Sequence, residues 1–94
     1  MHFHFLCKDK PDSLKIRMDT RTAHLDYLQG FGKAVVAAGP LLADDGQTMT
    51  GSVLILELAD RAAAEAFAKN DPYAKAGLFA SVTITPWRKV LPAG

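Results

Sequence analysis

Arg17, Arg21 and His24 follow one another at intervals of four and three residues, the spacing that stacks side chains on one face of a helix. Thr20 shares that face, and Leu28 and Phe31 continue it as an apolar strip. One end of the face is therefore cationic and the other oily. His24 is the only histidine beyond His2 and His4, and imidazole is the side chain that gains and loses a proton near neutral pH. A pocket bounded by such a face would suit a small anionic or phenolic molecule, with a proton carrier where charge gives way to apolar surface. The same two arginines would equally suit a solvated face paired with Asp12 or Asp26. Further along, Asn70, Asp71, Pro72 and Tyr73 form a stop-and-restart signal in which Asp71 can cap a helix and Pro72 can occupy its first position. Tyr73 and Trp87 read as pocket wall or core rather than as chemical participants.

The elements that must position these residues follow from periodicity. Residues 1–8 alternate as a strand, with Met1, Phe3, Phe5 and Cys7 on one side. Residues 10–13 break it. Asp12 or Ser13 can cap a short helical turn reaching Arg17 or Met18, and Thr20 can cap a main helix running to about Gln29, where Gly30 and Gly32 end it. Residues 33–42 predict a strand with a bulge or bend at Gly39-Pro40, followed by a hairpin loop at Asp44, Asp45 and Gly46. Residues 52–58 are nearly continuous in apolar side chains, the pattern of a strand covered on both faces. Asp60 caps a second helix over 61–69 whose buried stripe is expected at Ala63, Ala66 and Phe67, and a short helix after Asp71 ends near Gly77. Residues 81–90 form the last strand, Val82 and Ile84 on one side and Thr83, Thr85 and Trp87 on the other.

The order strand, helix, strand, strand, helix, strand predicts an α+β, ferredoxin-like βαββαβ fold with a four-stranded antiparallel sheet and helices on one face. Residues 1–94 allow one domain, and no repeat or linker divides them. A central strand buried on both faces needs cover that one layer of helices cannot supply, so a homodimer packed sheet to sheet, or a higher oligomer, is expected.

Eleven basic against ten acidic side chains provide no field to attract nucleic acid or an anionic membrane. The apolar runs fall far short of the roughly 20 residues of a membrane span, and the alternating amino terminus does not resemble a secretory signal. A cytoplasmic protein is expected, in keeping with a single cysteine, Cys7, that cannot form an internal disulfide. His2 and His4 share a strand face but have no third ligand at metal spacing, and the glycines form no phosphate loop, so neither a metal nor a cofactor is expected. Cys7 lacks an activating neighbour and reads as a small buried residue.

Several spaced motifs together resemble one family. They are Asp9 to Leu14 followed by Arg17, Arg21 and His24, then Gly39-Pro40-Leu41-Leu42, Asp45-Gly46, Gly51-Ser52, Asn70-Asp71-Pro72-Tyr73, Ala76-Gly77-Leu78 and Pro86-Trp87. The chain is similar to the YciI-like (YCII-related) family over almost its whole length. That resemblance implies a ferredoxin-like subunit pairing into a dimeric α+β barrel, with a site built on a histidine and an aspartate, which here are His24 and Asp71. It also implies kinship with muconolactone isomerases and a dehydrochlorinase acting on a chlorinated hydroxyquinol.

An aspartate bound to one imidazole nitrogen fixes the tautomer and leaves the other nitrogen to move a proton. Next to arginines that hold an enolate or phenolate, such a pair would serve a cofactor-independent isomerase or a lyase of the dehydrochlorinase type. The expected substrate-binding residues are Arg17, Arg21, Tyr73 and Trp87. The alternative is a non-catalytic module that binds a small molecule in the same pocket or serves mainly in dimerisation. Only the enzyme requires His24, Asp71 and an arginine to converge.

Overall fold

The computed structural model describes residues 1–93. Its sheet is built around β1 (His2–Asp9), which pairs antiparallel with β3 (Met49–Glu57) on one side and β4 (Phe79–Trp87) on the other. β2 (Val35–Leu42) lies outside β3, giving the order β2-β3-β1-β4. With α1 (Leu14–Gln29) between β1 and β2, and α2 (Arg61–Asn70) and α3 (Pro72–Lys75) between β3 and β4, this is the ferredoxin-like arrangement. No helix among the described residues is long and apolar enough to cross a membrane.

Alternation decides what the sheet buries. Phe3, Phe5 and Cys7 on β1 and Ser52, Leu54 and Leu56 on β3 are all buried on the helix side. Phe67 of α2 meets Phe5 at 5.1 Å, Tyr27 at 5.3 Å and Phe31 at 5.0 Å between ring centroids, and the Tyr27 hydroxyl donates to the Phe67 carbonyl at 3.0 Å. This aromatic cluster locks α1 to α2. At Gly51 a β-carbon would lie 2.3 Å from the Cys7 carbonyl oxygen, so only glycine lets β1 and β3 approach there. Across the sheet, Leu6, Val53 and Ile55 are only half-buried, so the expected double burial of β3 is met on one face within a single chain.

Several local expectations need correction. α1 is one continuous helix and Thr20 lies inside it; residues 14–29 contain no glycine or proline that would interrupt the backbone ladder. The Ser13 hydroxyl donates to the Lys10 carbonyl instead of capping the helix. On α2 the buried positions are Ala64 and Phe67, while Ala66 is exposed, because docking the large Phe67 ring fixes the rotation of the whole helix. β2 is irregular at its ends, between Val35 and Ala37 and between Leu41 and Leu42, while Gly39 and Pro40 keep regular register with Val53 and Ser52. A proline is tolerated there because β2 is an edge strand. The last strand begins at Phe79 and ends at Trp87.

Candidate active site

Three elements meet at the Asp9 end of β1. α1 supplies Arg17, Arg21 and His24, β3 supplies Ser52, and the junction of α2 and α3 supplies Asp71 and Tyr73. The junction is shaped by local chemistry. Asp71 has extended backbone (φ −60°, ψ 128°), Pro72 takes the first helical position, and Asp71 Oδ1 accepts the Tyr73 backbone N–H at 2.9 Å. The same oxygen contacts His24 Nδ1 at 2.9 Å. Capping α3 and orienting the imidazole are thus done by one carboxylate, and His24 and Asp71 are 5% and 2% exposed.

A carboxylate at this contact accepts an Nδ1–H, the arrangement in which a neutral ring keeps the Nε2 lone pair. Among the described residues no buried side-chain nitrogen or oxygen lacks a partner, and His24 Nε2 has no hydrogen bond to any of them, so Nε2 reaches open space. That space is a cavity of about 180 Å³ bounded by Arg21, His24, Leu28, Pro40, Ser52 and Tyr73, among others. The Tyr73 ring stacks on His24 at 4.0 Å and 19°, which fixes the imidazole plane. Burial raises the Tyr73 phenol above its usual value, Arg17 and Arg21 pull against it, and Asp71 adds to the rise.

Arg17 is not the solvated cation that its position on a polar face suggests. It is 2% exposed, its Nε and Nη2 donate to the Asp9 carboxylate at 2.7 and 2.8 Å, Nη2 also donates to Ser52 Oγ at 2.9 Å, and the guanidinium lies 4.7 Å over the Tyr73 ring. Burial opposes the Arg17 charge, but Asp9 and Tyr73 outweigh it and hold its pKa above the ordinary guanidinium value. The expected pairing with Asp12 is replaced by this buried fork. Arg21 is exposed at the cavity rim and forms no ion pair among the described residues. Paired with Ser52 across the sheet, the Cys7 thiol is pushed up to about 12 by burial, with Asp71 and Asp9 adding and Arg17 opposing, so it is no nucleophile.

Five of the six expected site residues therefore come together: His24, Asp71, Arg17, Arg21 and Tyr73. Trp87 does not join them. It pairs with His2 at the other end of β1, on the opposite face of the sheet, where the two rings meet edge to face at 6.0 Å. Its place on that face follows from strand alternation. His2 also lies 3.7 Å from Glu57, and no group of three or more His, Cys, Asp or Glu side chains among the described residues could hold a metal. Asp9 and Ser52 were not singled out from sequence. The available signal was a polar residue at an inward position of an otherwise apolar alternation: Asp9 follows Phe3, Phe5 and Cys7, and Ser52 precedes Leu54 and Leu56.

Comparison with known proteins places the chain and its fold. The chain is 39% identical over 90 residues to the protein YciI of Escherichia coli and to that of Shigella flexneri, covering 88% of this chain and 92% of each relative. Its structure is similar, with a TM-score of 0.87 and 39% identity over 94% of both chains, to 5-chloro-2-hydroxyhydroquinone dehydrochlorinase from Burkholderia phenoliruptrix AC1100, solved in complex with 2,5-dihydroxybenzoquinone. An antibiotic biosynthesis monooxygenase, 14% identical with a TM-score of 0.58 over 95% of this chain and 97% of that one, shares the fold alone. Residues 1–88 match the YCII-related domain, and the chain belongs to that family.

Proposed function

We propose that this protein is a small cofactor-independent enzyme of the lyase or isomerase type, acting on a phenolic or enolic ring through His24 and Asp71. The observation that carries the reading is the buried His24–Asp71 contact of 2.9 Å beside a cavity of about 180 Å³. An apolar cavity of about 150 Å³ accommodates benzene, so the space suits one substituted ring. The likeness to a dehydrochlorinase that binds a quinone supports the same substrate class.

His24 Nε2 takes the proton from a carbon next to a ring carbonyl, and the C–H electron pair becomes the double bond of an enolate. In elimination, the carbonyl reforms as a halide on the adjacent carbon leaves with its bonding pair, for a net loss of HX. In isomerisation the enolate is conjugated with a further carbon–carbon double bond, and the imidazolium returns the proton to the far carbon of that dienolate as the carbonyl reforms. Arg21 stabilises the oxyanion by charge, whereas Arg17, neutralised by Asp9, contributes hydrogen bonding and holds Tyr73 against His24.

The protein acts as a homodimer. The half-buried Leu6, Val53 and Ile55 on the sheet face away from the helices support packing against a second copy. Screening chlorinated hydroxyquinols, catechol derivatives and lactones against the wild type and His24→Ala tests the chemistry. Turnover is expected in the wild type only, and undiminished activity in His24→Ala would remove the proton-transfer role.

A further inference from the structure

The cavity beside His24 does not end at the catalytic pair. A second hollow, of about 270 Å³, runs between α1 and β2 and shares Leu25, Leu28 and Ala38 with the first. Its origin is visible in the strand. Register with the buried Leu54 and Ser52 turns Ala38 and Pro40 toward the helix, so the side chain facing α1 between Val35 and Pro40 is an alanine too short to reach it. The walls are almost wholly apolar: Leu25, Leu28, Val35 and Ala38, with Gln29 at the rim. Leu25 is left 39% exposed along it.

We propose that this groove is a substrate-specificity subsite, and that the natural substrate is a phenolic or enolic ring bearing an apolar arm of several carbons. The ring sits against Arg21, His24 and Tyr73, and the arm lies between α1 and β2. Burying an arm removes apolar surface on both ligand and protein from water, and each buried methylene strengthens binding about fourfold. A ligand arm fits the groove better than a second copy of the chain for a positional reason. The groove is continuous with the cavity holding the titratable pair and lies on the helix side of the sheet, whereas the apolar sheet face suited to a second copy is on the other side. The identity of the ring rests on the function proposed above; the arm does not.

Amide chemical-shift titrations with three probes separate the two: 2,5-dihydroxybenzoquinone, its 3-pentyl homologue, and 1-hexanol. The pentyl homologue is expected to bind at least tenfold tighter than the parent and to shift the amides of Leu25, Val35 and Ala38. Val35→Phe and Gln29→Trp, which line the groove and not the ring cavity, should cancel that advantage while the parent quinone binds as before. The proposal is overturned if the pentyl group adds nothing, if both variants weaken parent and homologue equally, or if the groove amides respond to dilution without ligand, as a covering second copy would require. Should the parent quinone fail to bind while hexanol shifts the groove amides, the ring assignment falls and the apolar subsite stands. Should hexanol and the homologue both leave those amides unmoved, the subsite falls whatever the ring does.

Discussion

Two buried ion-pairing contacts lie about two turns apart on α1 and do different work. Arg17 with Asp9 has side chains 3% and 7% exposed, and His24 with Asp71 has side chains 7% and 2% exposed, so burial does not distinguish them. The first is a two-pronged fork between a cation that does not titrate and a carboxylate, its second nitrogen also bound to Ser52. The second is a single contact to a titratable ring whose other nitrogen opens onto a cavity. A closed pair holds α1 to β1, whereas a half-open pair leaves one ring nitrogen for the proton transfer proposed above.

The largest effect expected from testing this contrast is on turnover. His24→Ala should cut the rate by about 10²–10⁴-fold with an unchanged circular dichroism spectrum, because the neighbouring fork still anchors the helix. A parallel collapse of the fold would erase the distinction. Asp9→Ala should do the opposite, costing about 3–5 kcal/mol in urea unfolding because it strands a buried guanidinium. A loss below about 1 kcal/mol would mean that Arg17 finds water or another acceptor and that the fork is dispensable. Asp71→Asn separates the two duties of that carboxylate. Asparagine caps as well as aspartate, so stability should change by less than about 1 kcal/mol while turnover falls, and equal losses in both would merge the roles.

The effect confined to alkaline pH is the response of Cys7, which feels Asp71, Asp9 and Arg17 together. Its folded value of about 12 lies above the 9.0 of an ordinary thiol, so folding favours the neutral form. That stability is fully present below pH 9 and is lost as pH climbs toward 12, because the unfolded thiol ionises first. Urea midpoints measured across this range should fall in the wild type and fall less steeply in Cys7→Val, where the raised Tyr27 and Tyr73 phenols still contribute. A thiol that reacts with iodoacetamide at pH 8 in the folded protein would contradict the burial behind this prediction.

Local periodicity was enough for most of the architecture. The alternation of Phe3, Phe5 and Cys7, the capping residue Asp60 and the Asp71-Pro72 restart each act over a few residues, and each appears in the structure at the position that spacing suggests. Family resemblance added the pairing of His24 with Asp71, which no spacing within either element could supply. Rotation and register were not legible in the same way. Ala64 rather than Ala66 faces the core because Phe67 must meet Phe5 and Tyr27, and Trp87 faces away from the cavity because β4 pairs with His2 at that point.

Sequence alone determined the strand and helix order and the residues able to carry a proton or a charge, since these depend on side-chain type and short-range sterics. Only the tertiary structure decided that Arg17 is neutralised by Asp9, that Arg21 stays open at the rim, and that one Asp71 oxygen serves both His24 and the Tyr73 backbone. Those outcomes depend on how helices dock on the sheet. Contacts between distant segments are set by the packing of the whole core, and no short stretch contains the information that fixes them.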